Sequence, residues 1–80
     1  MSLLEDRLFR ILELRLADST PEEMTEEIGL PYEVIEGIED ASVKALEEVV
    51  NNGASDIAQA AKEIDLHPIT TQMLFTYSGL

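Results

Sequence analysis

Leu, Ile and Val return every three or four residues along most of this 80-residue chain, and two similar breaks interrupt them, Ile28-Gly29-Leu30-Pro31 and Ile64-Asp65-Leu66-His67-Pro68. That spacing puts apolar side chains on one face of a helix, whereas a half-buried strand needs strict alternation. Strand formers are scattered and only 5% of residues are aromatic. Helices that each carry one apolar face must bury those faces against one another. The expected class is all-α, a compact bundle of five to six helices.

Local signals set the boundaries. Ser2 and Glu5 have capping-box spacing, and Leu3, Leu4, Leu8, Ile11, Leu12 and Leu16 form a broad stripe, so the first helix runs from about Leu3 to Ala17. Thr20-Pro21-Glu22-Glu23 supplies an N-cap and a proline at the first helical position for a short second helix to about Ile28. Gly29 ends it, and Pro31 opens a third helix to about Glu39. Asp40 is read as the cap of a fourth helix, Ala41 to about Asn51, with Val43, Leu46, Val49 and Val50 inward. Ser55 is read as the cap of a fifth, ending near Ile64, and Ile69 to about Tyr77 forms a sixth.

A hydrophobic content of 45% over this length suffices for one modest core and not for two. Residues 1–80 are therefore read as a single helical domain. Glu27-Ile28-Gly29-Leu30 and Glu63-Ile64-Asp65-Leu66 coincide at a separation of 36 residues, which suggests an internal repeat with half-units of about 3–39 and 41–77. Each half is too small to stand alone, so the two should share one core.

The formal charge of −12 attracts basic protein surfaces and repels nucleic acid and anionic membranes. Cysteine is absent, so no disulfide or thiolate metal site is available. Acids occupy the N-terminal positions where a signal peptide needs positive charge, and no apolar run approaches the roughly 18 residues of a membrane span. A cytoplasmic protein is expected. No Gly-rich phosphate loop, nucleophile elbow or His-carboxylate ligand spacing exists, so no enzyme, cofactor or metal is expected either. Acyl and peptidyl carriers are similarly small and acidic, but Gly53-Ala54-Ser55-Asp56-Ile57 has its Asp on the wrong side of the serine.

The segment from Met24 to Ile38 resembles the helix-turn-helix of transcription regulators and sigma-factor promoter-binding regions. Thr25 stands at the small position, Gly29 in the turn between Ile28 and Leu30, and Ile35 and Ile38 at the anchors of the second helix. The resemblance implies a bundle of two helix-turn-helix-like trihelical halves. In that family the outward side chains of the second helix read base edges. Here they are Tyr32, Glu33, Glu36, Glu39 and Asp40, and carboxylates facing DNA add repulsion.

Eight acids and no Lys or Arg lie between Glu22 and Asp40. The expected function is a small non-enzymatic binding module whose negative face engages a basic partner protein, in one version as a DNA mimic or regulatory inhibitor. Its candidate residues are Glu22, Glu23, Glu26, Glu33, Glu36, Glu39 and Asp40, with Tyr32 as aromatic anchor. The alternative is a DNA-binding regulator that uses the C-terminal unit, where Thr70, Thr71 and Gln72 would face the bases beside Lys62. Met73, Phe75 and Tyr77 exceed what one face of a short helix needs and form a candidate homodimer seam, with core packing the expected role for two of the three.

Overall fold

The computed structural model describes residues 3–80. These residues form five helices and no strand: α1 (Leu3–Leu16), α2 (Pro21–Ile28), α3 (Tyr32–Asn51), α4 (Ile57–Ile64) and α5 (Pro68–Ser78). The all-α bundle expected from apolar spacing is observed. No helix among them is long and apolar enough to cross a membrane.

Each boundary has a local cause. α1 stops where Asp18 turns left-handed (φ 58°) and the Ser19 N–H bonds back to the Leu14 carbonyl. Thr20 caps α2 through a reciprocal capping box with Glu23, and Pro21 occupies the first helical turn, where its missing N–H costs nothing. Gly29 closes α2 in the left-handed region (φ 77°), and Asp65 does the same for α4 (φ 59°). At this point the two turns share the conformation as well as the sequence pattern.

Four boundary expectations are corrected. The third and fourth helices are one 20-residue helix, and Asp40 lies inside it rather than capping a new one. No Gly or Pro interrupts residues 38–42, and the Ser42 hydroxyl donates to the Ile38 carbonyl at 2.7 Å, so the local polar groups are satisfied without a break. α4 is capped by Asp56, whose carboxylate accepts from the Gln59 N–H at 2.8 Å; Ser55 instead donates its hydroxyl to the Gln59 side chain. α5 begins at Pro68, one residue before the expected Ile69. Ser2 lies outside the described residues. Glu5 is 7% exposed and accepts from the His67 N–H at 2.7 Å, which ties the first turn of α1 to the N-terminus of α5.

The core has two clusters strung along α1 and α3. One joins Leu8 and Leu12 of α1 to Leu46 of α3, Ala60 of α4 and Leu74 of α5; the other joins Ile11 and Leu14 to Met24 of α2 and Ile35 of α3. Ile38 packs against both. The two long helices therefore run through the middle, with α2 at one end and the α4–α5 pair at the other. Leu4 and Leu16, expected in the buried stripe, are exposed because they lie at the two ends of α1; Leu14 is buried in their place.

Candidate protein-binding face

Charge on α3 divides by helical position. Ile35, Glu39 and Leu46 are buried, at spacings of four and seven residues, so this line of α3 faces the core. Glu33, Glu36, Asp40 and Glu47 recur three, four and seven residues apart on the other side, and all four are exposed. They form an acidic stripe about 21 Å long at 1.5 Å of rise per residue. Lys44 is the one cation on the same flank, and among the described residues it makes no ion pair.

Glu39 is a correction to the expected face. It is 1% exposed and receives two hydrogen bonds from Arg15 at the end of α1, Nε to Oε2 at 2.7 Å and Nη2 to Oε1 at 2.9 Å. Tyr32 is half-buried beside this pair. Arg15 Nη2 also donates to its hydroxyl at 2.7 Å, and the guanidinium lies 5.3 Å from the centre of its ring. A carboxylate buried this far must be paired; Arg15 supplies both bonds, and the Tyr32 hydroxyl accepts from the same guanidinium. Bonding to Glu39 in turn holds the Arg15 guanidinium more firmly protonated than usual. Tyr77 of α5 completes the cluster: burial, and then the negative charge of Glu39, push its phenol above the ordinary tyrosine value.

On α2, Glu22, Glu23 and Glu26 are exposed, as expected. Glu23 is committed to the cap, accepting from the Thr20 N–H at 3.0 Å, and that bond draws its carboxyl below the usual range. Glu27 pairs with Arg10 of α1 at 3.0 Å, both half-exposed, so part of the block is compensated from another helix. Among the described residues, Glu22, Glu26, Glu33, Glu36 and Asp40 have no ion-pair partner.

The structure thus removes Glu39 from the surface set, leaves Tyr32 half-buried, keeps the other six candidates exposed, and adds Glu47 at the far end of the stripe. Glu47 escaped the sequence reading because the expected break at Asp40 put it on a different helix. The signal was present in the unbroken three-to-four spacing of Glu33, Glu36, Asp40 and Glu47. At the other end of the chain, Thr70 and Thr71 are 1% and 0% exposed, which removes them as base readers; only Gln72 of that trio reaches the surface. Met73 and Phe75 pack against the core, and Tyr77, 36% exposed, shows part of its ring at the surface while its phenol lies by Glu39. No three His, Asp or Glu side chains converge on a metal-sized site among the described residues. Comparison with protein-family models, curated proteins and solved structures finds no match to this chain.

Proposed function

We propose that this chain is a small acidic, non-enzymatic binding module that presents the α3 stripe, with Glu22 and Glu26 of α2, to a basic surface on a partner protein. The observation that carries the reading is the one-sided display of Glu33, Glu36, Asp40 and Glu47 on a continuous helix with no cation among the described residues bonded to any of them. Glu36 and Asp40 repel each other one turn apart, as do Glu22 and Glu26, a small folding cost that a mixed-charge surface would avoid. A field of one sign speeds encounter with an opposite one and rejects wrong partners. The helix-turn-helix resemblance fits the same proposal: a helical corner shaped like a regulator's, with the outward charge reversed.

The test is retention of basic proteins by the immobilised chain at low and high salt, compared with Glu33→Lys/Glu36→Lys. Retention by the wild type alone, lost in about 0.5 M salt where charges more than a few ångströms apart are screened, is the expected result. Equal retention by the variant would reduce the stripe to solvation. In the DNA-mimic version a competing duplex displaces the retained protein. The regulator alternative instead requires the chain itself to bind duplex DNA at low salt, and the burial of Thr70 and Thr71 counts against it.

A further inference from the structure

Beside the acidic stripe lies an open apolar groove of about 690 Å³, running between the first two turns of α1, the middle of α3 and the α4–α5 turn. Leu8, Ile38 and Leu66 line it as well, all of them buried or half-buried. Leu4 and Val34, 62% and 43% exposed, both line it and so bring two accessible aliphatic side chains to one concave surface. Along α3 the lining runs from Val34 through Gly37 and Ala41 to Ala45, about 17 Å at 1.5 Å per residue, or three helical turns. Short side chains there leave open space: a Cβ built on Gly37 meets nothing within 4 Å.

The border of the groove is anionic. Glu33 lies one turn before Gly37, Asp40 one turn after it, and Glu48 one turn beyond Ala45, all exposed, with Lys44 the single cation among them. Asp65 lines the groove from the α4–α5 turn. An apolar trough with a negative edge is complementary to a helix that carries apolar residues on one face and Lys or Arg beside them.

We propose that this groove docks one amphipathic basic helix of the partner protein, its apolar side chains seated between Leu4 and Val34 and its cations meeting Glu33, Asp40 and Glu48. This rests on the reading of the chain as an acidic protein-binding module and names the element that such a module would hold. The groove supplies the contact area and fixes the orientation of the incoming helix. The border supplies the encounter rate and the preference for a cationic sequence.

The probe is a synthetic helical peptide of about 16 residues, long enough to exceed the three-turn groove, with Leu on one face and Lys on the flanks. A second peptide of the same composition has its Leu positions scrambled around the helix. Each is titrated into the isotopically labelled full chain and followed by NMR. The amphipathic peptide is expected to shift the amides of Leu4, Val34, Ala41 and Ala45 and to bind at least about tenfold more tightly than its scramble, the loss typical of removing a central anchor. Ala41→Phe fills the groove from an exposed position and should abolish that difference. Val34→Ser, which strips one wall without adding bulk, should reduce it, and the amide spectrum of each variant checks its fold.

Equal binding of both peptides, unchanged in Ala41→Phe, would overturn the groove while leaving the acidic stripe as a binding face. Binding of neither at low salt would overturn both. Self-association of the wild type that Ala41→Phe abolishes would mean that a second copy occupies the groove, and the proposal would fail.

Discussion

Arg15 and Glu39, 24 residues apart in sequence, form a two-bond ion pair that fastens the end of α1 to the middle of α3. The carboxylate side is sealed from water while the arginine side chain keeps 22% of its surface exposed. Removing the arginine alone therefore strands a charge that cannot rehydrate without opening the core. Arg15→Met should cost about 3 kcal/mol, near the lower end for breaking one side of a buried pair, measured by urea unfolding followed by circular dichroism. Arg15→Met combined with Glu39→Met should recover most of that loss. A double variant as unstable as the single one would mean that the pair, and not the stranded carboxylate, carries the stability.

Glu23 gives a pH dependence with a definite sign. Its carboxyl is drawn below the ordinary value by the Thr20 N–H, so the folded state binds this proton less readily than the unfolded chain does. The cap's contribution is fully present above the unfolded glutamate value of about 4.3 and is lost as pH falls through the lower folded value. The difference in stability between the wild type and Glu23→Ala should accordingly stay constant from neutral pH down to that point and then shrink. Taking the difference cancels the general relief of repulsion that a chain of charge −12 experiences on acidification. A difference that held constant through the acid range would assign the cap to the neutral acid.

What could be read from the residues was set by how local each determinant is. Thr20, Pro21 and Gly29 act within one turn of their own position, and the bounds of α2 follow from them directly. The continuity of α3 depends on partners far away. Asp40 is a good cap former and Gly37 a poor helix former, so local preference favours a break there; Ile35 in one core cluster, Leu46 in the other and Ile38 against both override it. Glu39 shows the same limit more sharply. In sequence it is one acid in a block without cations, and only the fold brings Arg15 to it. Three of the four stripe residues, Glu33, Glu36 and Asp40, are legible as outward from the residues alone, whereas Glu47 joins them only because α3 runs on past Asp40.

Two glycines should respond to alanine with opposite signs. Gly37 is in the interior of α3 with open space around it, so Gly37→Ala removes unfolded-state entropy without a clash and should stabilise by about 0.5–1 kcal/mol. Gly29 ends α2 at φ 77°, where a Cβ is strained however much room surrounds it. Gly29→Ala should destabilise by roughly 1–2 kcal/mol. At about 4–8 °C per kcal/mol for a domain of this size, thermal unfolding of the two variants resolves the signs. A stabilising Gly29→Ala would show that the turn can open without its left-handed residue.

The acidic stripe should be a burden on folding, and that burden can be weighed against its use. Glu36 has Asp40 one turn ahead and Glu33 one turn behind, both carboxylates. Replacing it by lysine turns two repulsive neighbours into attractive ones, so Glu36→Lys should stabilise the fold by about 0.5–1 kcal/mol at low ionic strength, at a few tenths per pair for each change of sign. The gain should fade in about 1 M salt, where the screening length is near 3 Å. If the stripe binds a basic surface, the same variant, though more stable, should lose affinity for the partner. A surface shaped only by solubility would show the first effect without the second, so measuring stability and binding on this one protein separates a charge kept for recognition from a charge kept for solvation.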